Sequence, residues 1–299
     1  MVNAGNIYTS TDYGASWSPR ATVQNWRAVA SSGDGAKLVA VVNGSYAYNS
    51  TDSGANWTPR LPAANWTSVA AALDGAKFVA CAGSGVIYTS TDSGVSWTPR
   101  TGVNANWVSV ASSADGVNLV AALQGGQLYT SSDSGANWTA RDSNRSWIAV
   151  ASSADGSRLA AAVNSGGLIY VSTDFGANWI ATSAPSAAWT ALASSADGAQ
   201  LAAVFHLGGM YLSADSGLTW VQRAGLPSSV GWTGVTMSSD ASTLVAVGNP
   251  SQIYVSSQAT TTTGTAGSLR GARLSAVELI HCGNGVFMPI TSQGTIRAQ

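Results

Sequence analysis

The stretch Ser50-Thr-Asp-Ser-Gly-Ala-Asn-Trp57 decides the fold, because it is one of six copies of S-x-D-x-G-x-x-W. The others read STDYGASW (10–17), STDSGVSW (90–97), SSDSGANW (131–138), STDFGANW (172–179) and SADSGLTW (213–220). Their aspartates, Asp12, Asp52, Asp92, Asp133, Asp174 and Asp215, recur every 40 or 41 residues. A second series, Trp26, Trp66, Trp107, Trp147, Trp189 and Trp232, keeps the same period, each Trp opening a small apolar run such as WTSVA. A third is the turn signal Asp-Gly at Asp34, Asp74, Asp115, Asp155 and Asp197, with Asp240-Ala241 as a variant. Three interleaved series at one period define a repeat architecture.

Each unit reads as four short strands: WTSVA, a KFVAC-like run, VIYTS, and the stretch around WTPR. These are β-branched or alternating runs bounded by Gly, Asn and Asp clusters, and no window carries a helical period. Asp-Gly between the first two strands suits a tight hairpin. Four strands in some forty residues is the blade pattern of a propeller. The fold class expected is therefore all-β: a seven-bladed β-propeller of four-stranded antiparallel blades, one domain over residues 1–299. Six blades begin at the six first-strand tryptophans. The seventh is assembled from both chain ends: Asn6 to Arg20 supply the third and fourth strands, and VELIH and VFMPI, within Ser275 to Ile296, the first and second. Such sharing closes the ring without an open edge. At 256–271, TTTTGTAGS replaces the Asp motif and its Trp, which predicts a degenerate outer edge for blade six.

Composition narrows the function. Only 9% of residues are charged and the net charge is −1, so no basic stripe for nucleic acid exists. No run of eighteen apolar residues predicts a membrane span. MVNAGNIYTS lacks the basic and apolar regions of a signal peptide and opens inside a repeat, while the richness in Gly, Ala, Ser, Thr and Asn leans towards a secreted or cell-surface protein. Cys81 and Cys282 occupy different repeat positions and read as two buried free thiols. No metal or cofactor motif appears, and a monomer is expected.

S-x-D-x-G-x-x-W resembles the Asp-box, or BNR repeat, of sialidases, sortilin-type receptors and photosystem II assembly factors. The whole unit, NWxxVASSxDGxxLVA followed by xIYTSTDSGxxWT, looks most like the assembly-factor and bacterial BNR propellers. The resemblance implies a structural turn at the blade periphery and ligand binding on the face shared by the four-to-one and two-to-three loops.

The residues that break the repeat are the candidates for chemistry. Glu278, the only glutamate, stands where Ala28, Ser68, Ser109, Ala149, Ala191 and Gly234 stand in the other units. There it is either a functional carboxylate or half of a buried pair with Arg27, Arg270 or Arg273, since an unpaired buried charge is costly. His281 follows in the same strand, and His206 lies in the hairpin VFHLGGM; neither has metal-ligand spacing. Asp142 and Arg145 in RDSNRSW read as a solvated turn. The six first-strand tryptophans are either stacking platforms for sugars or fillers between blades, and strict repetition favours filling. Arg20, Arg60, Arg100, Arg141 and Arg223 would correspondingly bind hydroxyls or cap the blades. A sialidase site would need more carboxylates than Glu278 and one free Asp, and no nucleophile elbow is present. The expected function is a non-catalytic propeller that recognises a glycan or protein partner through repeated sites. The alternative is a hydrolase with one site at the channel mouth, using Glu278 with His281 or His206. An assembly chaperone is a third reading, which would need a protein partner.

Overall fold

A computed structural model describes residues 5–12, 16–227, 230–249, 252–257, 269–271, 276–281, 287–293 and 296–298. Side chains are described over 5–12, 16–100, 104–227, 230–249 and 253–256. The described residues are all-β, without a helix, and every strand pairing is antiparallel.

The units fold as the repeat predicts. Blade 5 is the plainest: Trp189–Ser194, Leu201–Phe205, Gly209–Ser213 and Val221–Gln222 pair in sequence order. Blades 1 and 2 share one long strand, Thr58–Ala71. Its first half completes blade 1 against Ser45 to Asn49, and its second half opens blade 2 against Phe78–Ala82. Thr139–Ser152 joins blades 3 and 4 in the same way. Blade 6 has three described strands, Gly231–Met237, Thr243–Asn249 and Gln252–Ser257. Its expected outer edge falls mainly outside the described residues, and Leu269–Gly271 pairs with Ile296–Ala298 rather than with blade 6.

The second strands explain the spacing of the blades. Leu38 to Val42 and Phe78–Ala82 are buried at every position, so both faces of these strands are covered. Small residues such as Ala40, Ala80 and Cys81 let neighbouring blades approach closely. The core is accordingly serial. One cluster joins Val39 and Val41 of blade 1 to Trp66, Val69 and Phe78 of blade 2, and equivalent clusters follow at each boundary to blade 6. Each boundary buries its own apolar surface, as stacked repeats do.

A belt of backbone hydrogen bonds runs through the residues preceding the Asp-Gly turns. Gly33 N donates to Leu73 O, Leu73 N to Ala114 O, Ala114 N to Ala154 O, and Ala154 N to Ala196 O, each at 2.7 Å, and Ala196 N to Ser239 O at 2.8 Å. Six blades are thereby registered at one end of their inner strands.

The chain ends supply the expected strand pairs. Gly5–Thr9 pairs with Ser18–Gln24, and Ala276–His281 pairs with Phe287–Gln293. Among the described residues these two pairs do not join one sheet. Ile7 packs with Trp26, Ala40 and Val42, placing the N-terminal pair against blade 1. Val29 in blade 1 remains 43% exposed, whereas its counterpart Val69 is 7% exposed beneath the second strand of the preceding blade.

Candidate functional site

The loops divide into two faces of different character. On the first lie the Asp-Gly turns and the Asp-boxes, tied together by bonds such as Ser93 N to Ala76 O, 2.9 Å. In the box at 50–57, Ser50 Oγ donates to Asp52 Oδ1 at 2.7 Å and accepts from Gly54 N at 2.9 Å. Asn56 N donates to Asp52 Oδ1 at 2.9 Å and Asn56 Nδ2 to Oδ2 at 2.7 Å. Ser53 takes φ +56° and Gly54 φ +81°, the left-handed region that a chain reversal this tight needs. Trp57 Nε1 then donates to Gly54 O at 2.9 Å and lids the turn. The Asn56 backbone and side-chain N–H groups, with Ser50, hold the Asp52 carboxyl at about 2. In the Asp-Gly-type turns the donors are a serine and the backbone, except at Asp74, where Ala72 replaces the serine and the backbone alone donates. Asp155 accepts from Ser153 Oγ at 2.6 Å, Ser157 N at 2.9 Å and Ser157 Oγ at 2.7 Å, and lies at about 2.

The acidic residues number fourteen, and all but Glu278 are aspartates. Six of the aspartates sit in boxes and six in Asp-Gly-type turns, each accepting from its own loop. The remaining one, Asp142, pairs with Arg145 Nε at 3.4 Å. Every aspartate thus holds a local structure. Glu278 and His281 lie in the strand Ala276–His281, opposite Thr291 and Phe287, with side chains outside the described residues. The side chain of Arg270 and the whole of Arg273 and Cys282 also lie outside them, while Arg27 is exposed. His206 is exposed in the hairpin of blade 5, its ring against Gly231 of blade 6. Among the described residues no group of three His, Cys, Asp or Glu could hold a metal. No helix of the described residues is long and apolar enough to cross a membrane.

Of the two readings of the first-strand tryptophans, burial favours filling. Trp26, Trp66, Trp107, Trp147, Trp189 and Trp232 are 4% exposed or less. Each packs against an aromatic neighbour of its own blade, Trp66 edge-on to Tyr88 at 5.3 Å between ring centres. A stacking platform needs a bare ring face, and these rings have none, so they fill the space between blades. The arginines are also committed. Arg20, Arg60, Arg100 and Arg141 donate Nε to Thr9, Asn49, Thr89 and Thr130 on the adjacent strand, at 2.7 to 3.1 Å. Arg223 donates to Ser256 Oγ of blade 6 at 2.8 Å.

The second face carries the two-to-three hairpins and the four-to-one connections. They meet through Asn43 N to Asn25 O, Gly83 N to Asn65 O, Gln124 N to Asn106 O and Asn164 N to Ser146 O, at 2.8 to 3.1 Å. Here the repeat lapses: the hairpins read NGSY (43–46), GSG (83–85), QGGQ (124–127), NSGGL (164–168) and HLGG (206–209). Tyr46, His206 and Leu207 stand exposed on it. At blades 3 and 4 it carries an ordered polar group. Asn106 Nδ2 donates to Gln124 Oε1 at 2.8 Å, and Gln127 Nε2 to Asp142 O at 2.8 Å. Arg145 lies 4.3 Å over the Tyr170 ring and 5.7 Å from that of Trp147. The pair Asp142–Arg145 is therefore not a solvated turn: both side chains are partly buried, and the guanidinium is stacked and ion-paired.

No family model matches the chain, and no curated protein does. Solved structures match its fold. The GH74 enzyme of Niastella koreensis superposes with a TM-score of 0.67 at 18% identity, over 85% of this chain and 49% of the enzyme. YCF48 bound to D1 peptide superposes with a TM-score of 0.60 at 16% identity, over 78% of each chain. An ancestral GH74 enzyme gives 0.59 at 18% identity, over 85% of this chain and 40% of the other. This chain thus spans about half the length of the first GH74 enzyme. At such identities the likeness concerns architecture, and with the antiparallel blades described above it makes the fold propeller-like.

Proposed function

We propose that this chain is a non-catalytic recognition propeller that binds a glycan or peptide ligand on the face carrying the variable hairpins. The observation that carries this reading is the division of labour between the faces. All thirteen aspartates hold local structure, twelve of them in the repeated turns of one face, while residue identity varies freely on the other. Function in a scaffold of rigid blades resides in the loops that the scaffold does not dictate. Asp142–Arg145–Tyr170, with Gln127 and the exposed Tyr46, would form the contact surface in place of the buried tryptophans. YCF48, a neighbour in fold, carries a protein peptide, which is consistent with a peptide ligand here.

The ring itself is part of the proposal. The strand pair Ala276–His281 and Phe287–Gln293 would supply the first and second strands of a seventh blade, with the N-terminal pair as third and fourth. The uncovered Val29 supports this, because it marks the seat that a preceding second strand occupies at the other boundaries.

Labelled protein on glycan and peptide arrays tests the reading. Saturable binding to one ligand class, weakened about tenfold by Arg145→Ala and Tyr46→Ala, is the expected result. Turnover of a glycoside, abolished by Glu278→Gln with binding to the arrays absent, would replace recognition by hydrolysis.

A further inference from the structure

Among the four boundaries that link blades 1 to 5, one departs from the others at two positions at once. Before the second strand of blades 1 to 4 stands a side chain that reaches the next blade; in blade 1 it is Lys37, whose Nζ donates to Asp74 O at 3.1 Å. Lys77 Nζ donates to Asp115 O at 3.0 Å and to Ser134 Oγ at 3.2 Å, spanning from blade 2 to the box of blade 3. Arg158 does the same from blade 4, donating to Asp197 O at 3.2 Å and to Ser216 Oγ at 3.0 Å. Between blades 3 and 4 the equivalent residue is Asn118, which reaches Asp155 O at 3.1 Å and goes no further. The box serine that the long cation would meet is there replaced by Phe175.

The consequence is a change in volume at equivalent places. The crevice of blades 2 and 3, lined by Lys77, Phe78, Thr89, Gly116, Leu119 and Ser134, encloses about 10 Å³. That is room for one water at most. Its counterpart, where Asn118, Leu119, Thr130, Gly156, Leu159 and Phe175 hold the same repeat positions, encloses about 260 Å³. The larger space has a short amide where Lys77 stands, and it extends further over Ser132, Asp133, Asn137, Thr139 and Arg141 of blade 3. Phe175, 50% exposed, forms one wall. It is held at φ +58°, where Ser53, Ser93, Ser134 and Ser216 lie between +56° and +62°. A bulky side chain is a rare occupant of that region, and here its ring remains half bare beside an open cleft.

The polar lining sets the ligand chemistry. Arg141 spends Nε on Thr130 Oγ1 at 2.9 Å, and its other N–H groups have no partner among the described residues. Asn137 turns its amide N–H to Asp133 at 2.7 Å, leaving its amide oxygen as an acceptor. Asp133 and Arg141 balance in charge, which suits a neutral ligand. A pyranose presents an apolar C–H face to an aromatic ring and hydroxyls at its rim. The cleft falls just below the roughly 300–1,000 Å³ of sites for drug-sized ligands, in keeping with a single sugar ring. We propose that the cleft between blades 3 and 4 binds one neutral pyranose unit, stacked on Phe175 and hydrogen-bonded by Arg141 and Asn137. This site is separate from the variable face and stands whether or not that face binds a ligand.

Saturation-transfer NMR with a panel of neutral methyl hexopyranosides tests it. Two variants give this boundary residues found at its counterparts, so both are expected to fold: Phe175→Ser and Asn118→Lys. One glycoside should receive saturation mainly on the protons of one ring face, and each variant should weaken its binding about tenfold or more while melting cooperatively. Absence of transfer to every glycoside of the panel would overturn the proposal. So would binding that persists unchanged in folded Asn118→Lys, in which the cleft is filled.

Discussion

Trp66 and Trp147 occupy the same place in blades 2 and 4 yet differ in one hydrogen bond, and this difference predicts unequal responses to the same substitution. Both rings are fully buried. Trp66 Nε1 donates to Pro62 O at 3.2 Å, whereas Trp147 Nε1 is buried with no acceptor. Replacing either by Phe shrinks the side chain, with a transfer and cavity cost of about 1–2 kcal/mol. At Trp66 the lost hydrogen bond adds about 1 kcal/mol. At Trp147 the substitution removes an unsatisfied donor instead, which returns about 1–3 kcal/mol of desolvation cost. Arg145 contributes little to the difference, because its closer seat is Tyr170. Trp66→Phe should therefore cost about 2–4 kcal/mol more than Trp147→Phe. Urea denaturation followed by far-UV circular dichroism measures this as a difference in midpoint at equal slope. Equal losses, or a larger loss at Trp147, would refute the assignment of an orphaned indole N–H.

Three further outcomes are expected. Asp52, Asp155 and Asp174 titrate at about 2 in the folded chain against 3.8 ordinarily, so the unfolded chain binds more protons between these values. Stability should then be level above about pH 5 and fall as pH drops through about 2; a melting temperature that rises on acidification across this window would contradict the turn geometry. If the C-terminal pair covers blade 1, Val29→Asp should destabilise about as much as Val69→Asp, by about 3 kcal/mol or more, through burial of an unpaired charge; a loss at Val29 below about 0.5 kcal/mol, in thermal or urea melts, would leave the ring open there. Cys81 is buried, and desolvation pushes its thiol up to about 12. In a Cys282→Ser variant it should resist a thiol-specific disulfide reagent at pH 8 until the chain unfolds, and rapid native-state labelling would show that the second strand of blade 2 is accessible.

The repeat by itself determined most of this architecture. Period, strand number, turn positions and the structural role of Asp52 and its five counterparts could be read from residue spacing, because each is a local consequence of hydrogen bonding within some eight residues. The structural destiny of Trp66 and its counterparts was only half legible: strict repetition favoured packing, but the exposure of a ring depends on the blade that comes to lie beside it. Tertiary structure alone decided that Arg145 stacks on Tyr170, since those residues are brought together by pairing across blade 4. The same holds for the cleft at Phe175. The sequence displays both departures, Asn118 where Lys77 and Arg158 stand in other units and Phe175 where four of the other five boxes have serine. Their meaning appears only when two adjoining blades bring the two positions, some sixty residues apart in the chain, into the lining of one space. Local hydrogen bonds write a blade into sequence, whereas the volume left between blades is a property of neighbours that no single repeat contains.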